Sequence, residues 1–89
     1  MLNIGLLGAG RIGQVHGATL AQMTTARAAA VSDFLPDAAA ALAAKLGATA
    51  MSTEEIIADK SIDAVVIGTP TATHYDIIHE AAAAGKAIF

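Results

Sequence analysis

The sequence has 89 residues, no cysteine and a formal net charge of −3, with five lysines and arginines against eight acidic residues. This length allows one small domain, and the composition excludes a disulfide framework and a catalytic thiolate. The acidic balance argues against nucleic acid as a partner. No apolar run is long enough to span a membrane and the N-terminus lacks the pattern of a signal peptide, so we expect a cytoplasmic protein without a membrane partner.

Short apolar runs alternate with helical patterns along the chain, which predicts βαβ units and an α/β fold with a parallel sheet. The predicted strands are residues 2–7, 28–32, 49–51, 64–67 and 87–89, and the predicted helices are residues 11–23, 36–46, 53–58 and 72–84. Pro36 and Gly47 mark the limits of the second helix, and Ser52 with Glu55 predicts a capping box for the third. The expected core residues are Ile4, Leu6, Leu7, Val65, Val66 and Ile67.

The segment that follows the first predicted strand has the form G-x-G-x-x-G and is made by Gly8, Gly10 and Gly13. It opens the first predicted helix, and Asp33 comes 20 residues after Gly13, at the end of the second predicted strand. Gly8 permits a tight turn, Gly10 lets the backbone approach a pyrophosphate, and Gly13 lets the helix pack closely on the strand. This context predicts a dinucleotide site, and the alternative is a glycine-rich turn without a ligand.

The predicted contacts to the dinucleotide come from the backbone and from one acid. The N–H groups of Arg11, Ile12 and Gly13 are expected to face the phosphates at the positive end of the helix dipole. Asp33 is predicted to accept hydrogen bonds from the adenosine ribose hydroxyls, which favours NAD over NADP. Its alternative role is to begin a turn or to cap the next helix. Phe34 is either a cover for one face of the adenine or a partly exposed hydrophobic residue.

The first helix is predicted to bury one face, on which His16 is expected as a packed, hydrogen-bonded residue and not as a ligand. The other members of this face are Ile12, Val15, Leu20 and Met23. No predicted element carries histidines and acids at the spacing of metal ligands, so the sequence predicts no metal site.

A second polar segment follows the fourth predicted strand. It contains Thr69, Pro70 and Thr71, with His74 in the first turn of the next helix. In doubly wound sheets the ligand crevice lies at the carboxyl ends of the first and fourth strands, so these residues are predicted to line the nicotinamide side of the cleft. Helix capping by Thr69 or Thr71, with Pro70 in the first turn, is an alternative that is compatible with this role.

Three segments, residues 8–16, 30–33 and 66–74, resemble the Gfo/Idh/MocA family of NAD(P)-dependent sugar and polyol dehydrogenases, most closely its inositol 2-dehydrogenases. The resemblance extends over the full chain and implies a Rossmann-type parallel sheet with helices on both faces. In that family a Glu-Lys-Pro motif follows the fifth strand, and the catalytic Asp and His lie on a second domain. The resemblance therefore implies that residues 1–89 form part of an NAD-binding domain, truncated after about four strands and the start of a fifth. We expect this part to bind NAD without catalysing alone, and no catalytic residue is predicted in it.

Two other functions remain open from the sequence. The first is a methyltransferase-like domain that binds S-adenosylmethionine, although Gly13 and residues 69–74 argue against it. The second is an engineered or isolated half-Rossmann unit whose main behaviour is self-association. With strands in the expected order 3-2-1-4, a short fifth strand leaves an apolar edge beside the fourth, and such an edge is a template for pairing with another chain. We therefore expect a homo-oligomer, most simply a dimer.

Overall fold

The computed structural model describes the backbone of residues 2–68 and 71–88, with the side chains of these residues except 11, 12 and 71–76. Strands and helices alternate through this part of the chain, which confirms the predicted βαβ organisation. They are β1 (Leu2–Leu7), α1 (Arg11–Ala21), β2 (Ala26–Ser32), α2 (Pro36–Leu46), β3 (Thr49–Ala50), α3 (Thr53–Ala58), β4 (Ala64–Ile67), α4 (Thr71–Ala83) and β5 (Ala87–Ile88).

The strands form one parallel sheet in the order β3-β2-β1-β4-β5, which confirms the predicted Rossmann-type arrangement. Because the strand order reverses at β1, a crevice opens at the carboxyl ends of β1 and β4, where ligands bind in such sheets. Leu7 at the end of β1 lies opposite Ser32 of β2 and Ile67 of β4. These strands therefore end at the same level, which brings the segments that follow them to one edge.

Helices cover both faces of the sheet. On one face Leu6 of β1 belongs to a buried cluster with Leu42 of α2. On the other face Leu7 belongs to a cluster with Ile56 of α3 and Ala81 of α4. The core thus lies in two layers on either side of β1, as expected for a sheet that is buried on both faces. Of the described helices, none is long and apolar enough to cross a membrane.

Most of the predicted core is buried. Four of the six predicted core residues are at most 3% exposed, namely Ile4, Leu6, Leu7 and Val65. Val66 and Ile67 are partly buried, and each packs against one of the two core clusters. β5 pairs with β4 at Ala64 and Val65. In the described chain, the carboxyl half of β4 therefore has no neighbouring strand on its outer side.

Local sequence signals determine the ends of α2 and α3. α2 has Pro36 in its first turn and ends at Gly47, whose φ of 67° lies in the left-handed region. Ser52 Oγ accepts a hydrogen bond from the Glu55 N–H (3.1 Å), and Glu55 Oε1 accepts one from the Ser52 N–H (3.0 Å). The predicted helix limits and the capping box are therefore confirmed.

The buried face of α1 differs in part from the predicted one. Leu20 is buried as predicted, but the other buried positions among the described side chains are Gly13 and Gly17, and the side chain of Ile12 lies outside the described residues. The members of the predicted face that are exposed are Val15 (59%), Met23 (45%) and His16. A Cβ on Gly17 would lie 2.9 Å from Leu46 Cδ1, so α1 and α2 approach closely here and the end of the Leu46 side chain would have to shift to admit a methyl group. The prediction of a packed His16 is wrong because α1 turns its small residues to the core.

Candidate dinucleotide-binding site

The glycine-rich loop between β1 and α1 is tightly folded. Gly8 has a φ of 115°, a conformation that residues with a side chain rarely adopt. A Cβ on Gly13 would lie 2.0 Å from the Gly8 carbonyl oxygen, so only glycine fits where α1 begins. The geometry predicted for these two positions, a tight turn and a close approach of helix and strand, is confirmed.

Gly10 lies in a different setting. Its φ of −73° suits any residue, it is exposed, and a Cβ added to it would meet no described protein atom within 4 Å. The surrounding protein therefore does not require glycine at this position. The open space fits a phosphate group that packs against the backbone, as the pyrophosphate of NAD would.

The N-terminus of α1 presents backbone donors next to Gly10. Gly10 is the N-cap residue and has no side chain to cap the helix, and no acidic residue lies in the first turn. The Gln14 N–H donates to the Gly10 carbonyl oxygen at 2.9 Å. The N–H groups of Arg11, Ile12 and Gly13 precede this first intrahelical bond, and together with the helix dipole they suit an anion.

Asp33 lies directly beside this loop. Its Oδ1 accepts a hydrogen bond from the Ala9 N–H at 2.8 Å, and its Oδ2 accepts one from the Leu35 N–H at 2.9 Å. The side chain is half-buried. Each carboxylate oxygen keeps the capacity to accept from a further donor. The carboxylate can therefore accept hydrogen bonds from two ribose hydroxyls while it remains attached to the loop.

Of the two alternative roles of Asp33, the structure shows the turn and not the helix cap. Its carboxylate accepts a hydrogen bond from the N–H of Leu35, two residues further on, which is the pattern of an Asx-turn. The N-cap residue of α2 is Leu35, and no side chain caps the helix there. Asp33 therefore begins a turn but does not cap α2.

Phe34 and Leu35 follow Asp33 at the same edge of the sheet. Their side chains are 94% and 61% exposed, respectively. Two consecutive large apolar side chains thus lie open beside the acid. Phe34 is thus almost fully exposed, more than the partly exposed residue of the second interpretation, and its role as a cover for the adenine stays a prediction.

The sequence analysis missed a partly buried side-chain contact directly behind Asp33. The Ser32 side chain is 1% exposed, and its Oγ lies 2.9 Å from Thr53 Oγ1. A polar residue at the end of the otherwise apolar second strand was the available signal. The partner on α3 depends on the tertiary fold and has no signal in the local sequence.

The end of β4 meets the glycine loop from the other side of the crevice. The Gly68 N–H donates to the Leu7 carbonyl oxygen at 2.8 Å. A Cβ on Gly68 would lie 3.5 Å from the Gly13 nitrogen. The segment that follows β4 therefore starts beside the N-terminus of α1, as predicted for one wall of the cleft.

The residues predicted to line the nicotinamide side come after Gly68. Thr69 and Pro70 lie outside the described residues, and Thr71 and His74 belong to α4 with side chains that are also outside them. Their contacts with a ligand stay a prediction. Elsewhere in the described chain, no three histidine or acidic side chains come together as metal ligands.

Residues 2–89 match the model of an oxidoreductase family with an NAD-binding Rossmann fold, GFO_IDH_MocA. The chain belongs to this family. The resemblance found in the sequence is therefore confirmed, together with the Rossmann-type fold and NAD as the cofactor. The methyltransferase-like alternative is set aside by the same match.

Individual relatives agree with this assignment. An inositol 2-dehydrogenase of Rhizobium meliloti (strain 1021) is 50% identical over 88 residues, covering 99% of this chain and 27% of that protein. The crystal structure of a candidate myo-inositol dehydrogenase from Sinorhizobium meliloti 1021 has a TM-score of 0.98 at 49% identity, covering 100% of this chain and 27% of the other. A myo-inositol dehydrogenase from Lactobacillus casei, solved with NAD(H) and myo-inositol, has a TM-score of 0.94 at 28% identity, with the same coverage of 100% and 27%. The chain thus spans 27% of the length of these relatives.

Proposed function

We propose that this chain binds NAD at the carboxyl edge of its sheet, and that the whole protein is a dehydrogenase of inositol or a related polyol. The observation that carries the binding site is the 2.8 Å hydrogen bond from the Ala9 N–H to the Asp33 carboxylate. It holds an acid beside a glycine loop that is open at Gly10. The polyol substrate is inferred from the relatives that act on inositol.

NAD supplies the hydride acceptor when it is bound, and the residues of this chain hold it. Gly10 leaves room for the pyrophosphate. The N–H groups of Arg11, Ile12 and Gly13 donate to the phosphate oxygens. Asp33 accepts hydrogen bonds from the adenosine ribose, which supports a preference for NAD over NADP.

The nicotinamide half of the cofactor lies on the other side of the crevice in this proposal. We expect Thr69, Pro70, Thr71 and His74 to line that side. The support is positional, because Gly68 directly before them lies beside Gly13.

The experiment for the binding site compares the wild-type chain with Gly10→Ala in calorimetric titrations with NAD. Because the added Cβ would meet no described protein atom within 4 Å, the variant is expected to fold like the wild type. We expect it to bind NAD at least about tenfold more weakly, since the Cβ takes the space of the pyrophosphate. A parallel titration with S-adenosylmethionine is the ligand control. Absence of saturable NAD binding by the wild type, or an unchanged affinity in the variant, would contradict the proposal.

We expect the 89-residue chain alone to bind NAD without oxidising a polyol. The relatives are longer, the chain covering 27% of the inositol 2-dehydrogenase it matches. The family resemblance places the acid–base residues outside this sequence, and hydride transfer needs such groups around the substrate. Steady production of NADH from myo-inositol by the purified chain, free of any full-length enzyme, would refute this expectation.

Self-association through the outer edge of β4 is also proposed. Among the described residues, β5 pairs with Ala64 and Val65 of β4, and Val66 and Ile67 beyond them are partly exposed. A dimer that joins two such edges would extend the sheet by the same contacts in both copies. Light scattering should show a dimer at micromolar concentration that Ile88→Lys weakens, and a monomer unaffected by this change would contradict it.

The cytoplasmic location predicted from the sequence is tested by fractionation of cells that produce the protein.

A further inference from the structure

A pair of hydroxyl groups, the buried one of Ser32 and the partly buried one of Thr53, lies behind the proposed NAD site. Ser32, the last residue of β2, is 1% exposed, and its Oγ lies 2.9 Å from Thr53 Oγ1 at the start of α3. Among the described residues, the buried polar ones are Ser32 and Lys86. A buried hydroxyl needs a partner in a defined direction, so this pair constrains the end of β2 against α3 more strictly than apolar packing does.

Thr53 is itself held in place. The capping box between Ser52 and Glu55 closes the first turn of α3. The Met51 N–H donates to the Val31 carbonyl oxygen at 2.9 Å. The segment before Thr53 is therefore attached both to its own helix and to β2, and the Thr53 hydroxyl is a fixed point for the end of that strand.

The end of β2 meets the glycine loop through two consecutive hydrogen bonds. The Ser32 carbonyl oxygen accepts from the Gly8 N–H at 2.7 Å, and Asp33 Oδ1 accepts from the Ala9 N–H at 2.8 Å. Ser32 thus contacts the loop through its backbone and α3 through its side chain. A displacement of Ser32 also displaces the carboxylate of the next residue.

We propose that the Ser32–Thr53 hydroxyl pair is a positioning element that sets the Asp33 carboxylate against the glycine loop and so determines how strongly NAD is preferred over NADP. The inference rests on the proposed NAD site and adds a determinant of its specificity. Acceptance of a ribose 2′-hydroxyl and rejection of a 2′-phosphate both depend on the position of the carboxylate, to within about 0.5 Å.

Three variants separate positioning from stability. Thr53→Val removes one hydroxyl at nearly constant shape, but it leaves Ser32 Oγ buried without this partner. The double variant Ser32→Ala/Thr53→Val removes both hydroxyls, so neither is left unpaired and its stability stays close to that of the wild type. Thr53→Ser keeps a hydroxyl and is the matched control.

The first measurement is the ratio of the dissociation constants for NADP and NAD, obtained by calorimetric titration of the full chain. We expect the double variant to lower this ratio about tenfold and Thr53→Ser to change it by less than about twofold. Lys86→Met controls for a general loss of stability. Lys86 lies at the amino ends of the strands and Asp33 at their carboxyl ends, so this variant is expected to keep the wild-type ratio of the dissociation constants. A folded double variant with the wild-type ratio would overturn the proposal.

Hydrogen exchange of the Ala9 amide is a second measurement, and it needs no cofactor. The hydrogen bond to Asp33 protects the Ala9 amide from exchange with solvent. In the double variant we expect this amide to exchange at least about tenfold faster than in the wild type, while the amides that exchange only through global unfolding keep their rates. Unchanged protection in the double variant would overturn the proposal. Failure of the wild-type chain to bind NAD would instead contradict the proposed function, and the Ala9 amide would still decide the positioning role.

Discussion

Asp33 at the end of β2 accepts a hydrogen bond from the Ala9 N–H in the glycine loop, at 2.8 Å. The two residues are 24 positions apart in the sequence. The contact joins the two parts of the chain that are proposed to recognise the phosphates and the ribose of NAD. A substitution in the glycine loop is therefore expected to change the position of the Asp33 carboxylate, and a substitution near Asp33 to change the loop.

The glycines of α1 are expected to differ sharply in their tolerance of a methyl group. In Gly13→Ala the Cβ would lie 2.0 Å from the backbone oxygen of Gly8, which cannot rotate away. We expect a loss of about 3 kcal/mol in the free energy of unfolding, measured with urea, together with loss of NAD binding. Gly17→Ala is the matched control, because its Cβ meets the end of the flexible Leu46 side chain at 2.9 Å. It is expected to cost less than about 1 kcal/mol and to keep NAD affinity, so equal effects of the two substitutions would contradict this explanation.

Lys86 is expected to stabilise the fold without a role in NAD binding. Its Nζ is held in a largely buried position, where it donates to the carbonyl oxygens of Asp59 and Ile62, both at 2.7 Å. Lys86→Met should lower the free energy of unfolding by about 2 kcal/mol, since both hydrogen bonds to a charged donor are lost. The exposed Lys60→Met is the control and should change stability by less than about 0.5 kcal/mol. An equal, small effect of both substitutions would show that the two carbonyl contacts contribute little.

The capping box of α3 predicts a pH dependence at Glu55. Hydrogen bonds from the Ser52 backbone N–H and then from its side chain hold the pKa of Glu55 below its usual range. Because the pKa is lower in the folded state, the contribution to stability is complete above the unfolded pKa and is lost as the pH falls through the folded value. Ser52→Ala keeps the backbone N–H, which is the larger cause, and removes the hydroxyl, so it should raise the pKa of Glu55 part of the way toward the ordinary glutamate value, as followed by NMR titration of the carboxyl group.

Ser61→Ala provides the control for this titration. The Ser61 hydroxyl and backbone N–H lower the pKa of Asp59, at the other end of α3. The Ser61 substitution should therefore raise the pKa of Asp59 and leave the pKa of Glu55 where it is. A pKa of Glu55 that does not respond to Ser52→Ala would mean that the Ser52 hydroxyl does not act on the carboxylate in solution.

Elements with a strong local signal were predictable from the sequence. The turn at Gly8, the helix from Pro36 to Gly47 and the Ser52–Glu55 capping box each depend on residues close together in the chain. The strand order followed because βαβ units leave few topologies for a sheet of this size.

Features that depend on distances between elements were not predictable. The apolar pattern of α1 predicts His16 on the buried face, whereas the close approach of Gly17 to Leu46 turns the glycine face inward. The contact from Ala9 to Asp33 and the pair of Ser32 with Thr53 require the register of β1 and β2 and the placement of α3. Neither contact can be predicted from a short stretch of sequence, because each joins residues that are far apart in the chain.

The measurement that tests the central claim most directly is the affinity of the wild-type chain for NAD and NADP, compared with that of Asp33→Asn. The asparagine can keep an acceptor for the Ala9 N–H while it removes the negative charge that opposes a 2′-phosphate. We expect the wild type to bind NAD at least about tenfold more tightly than NADP, and Asp33→Asn to lose most of that difference. Equal dissociation constants for the two cofactors in the wild type, or a preference that Asp33→Asn leaves unchanged, would contradict the assignment of Asp33 as the residue that recognises the ribose.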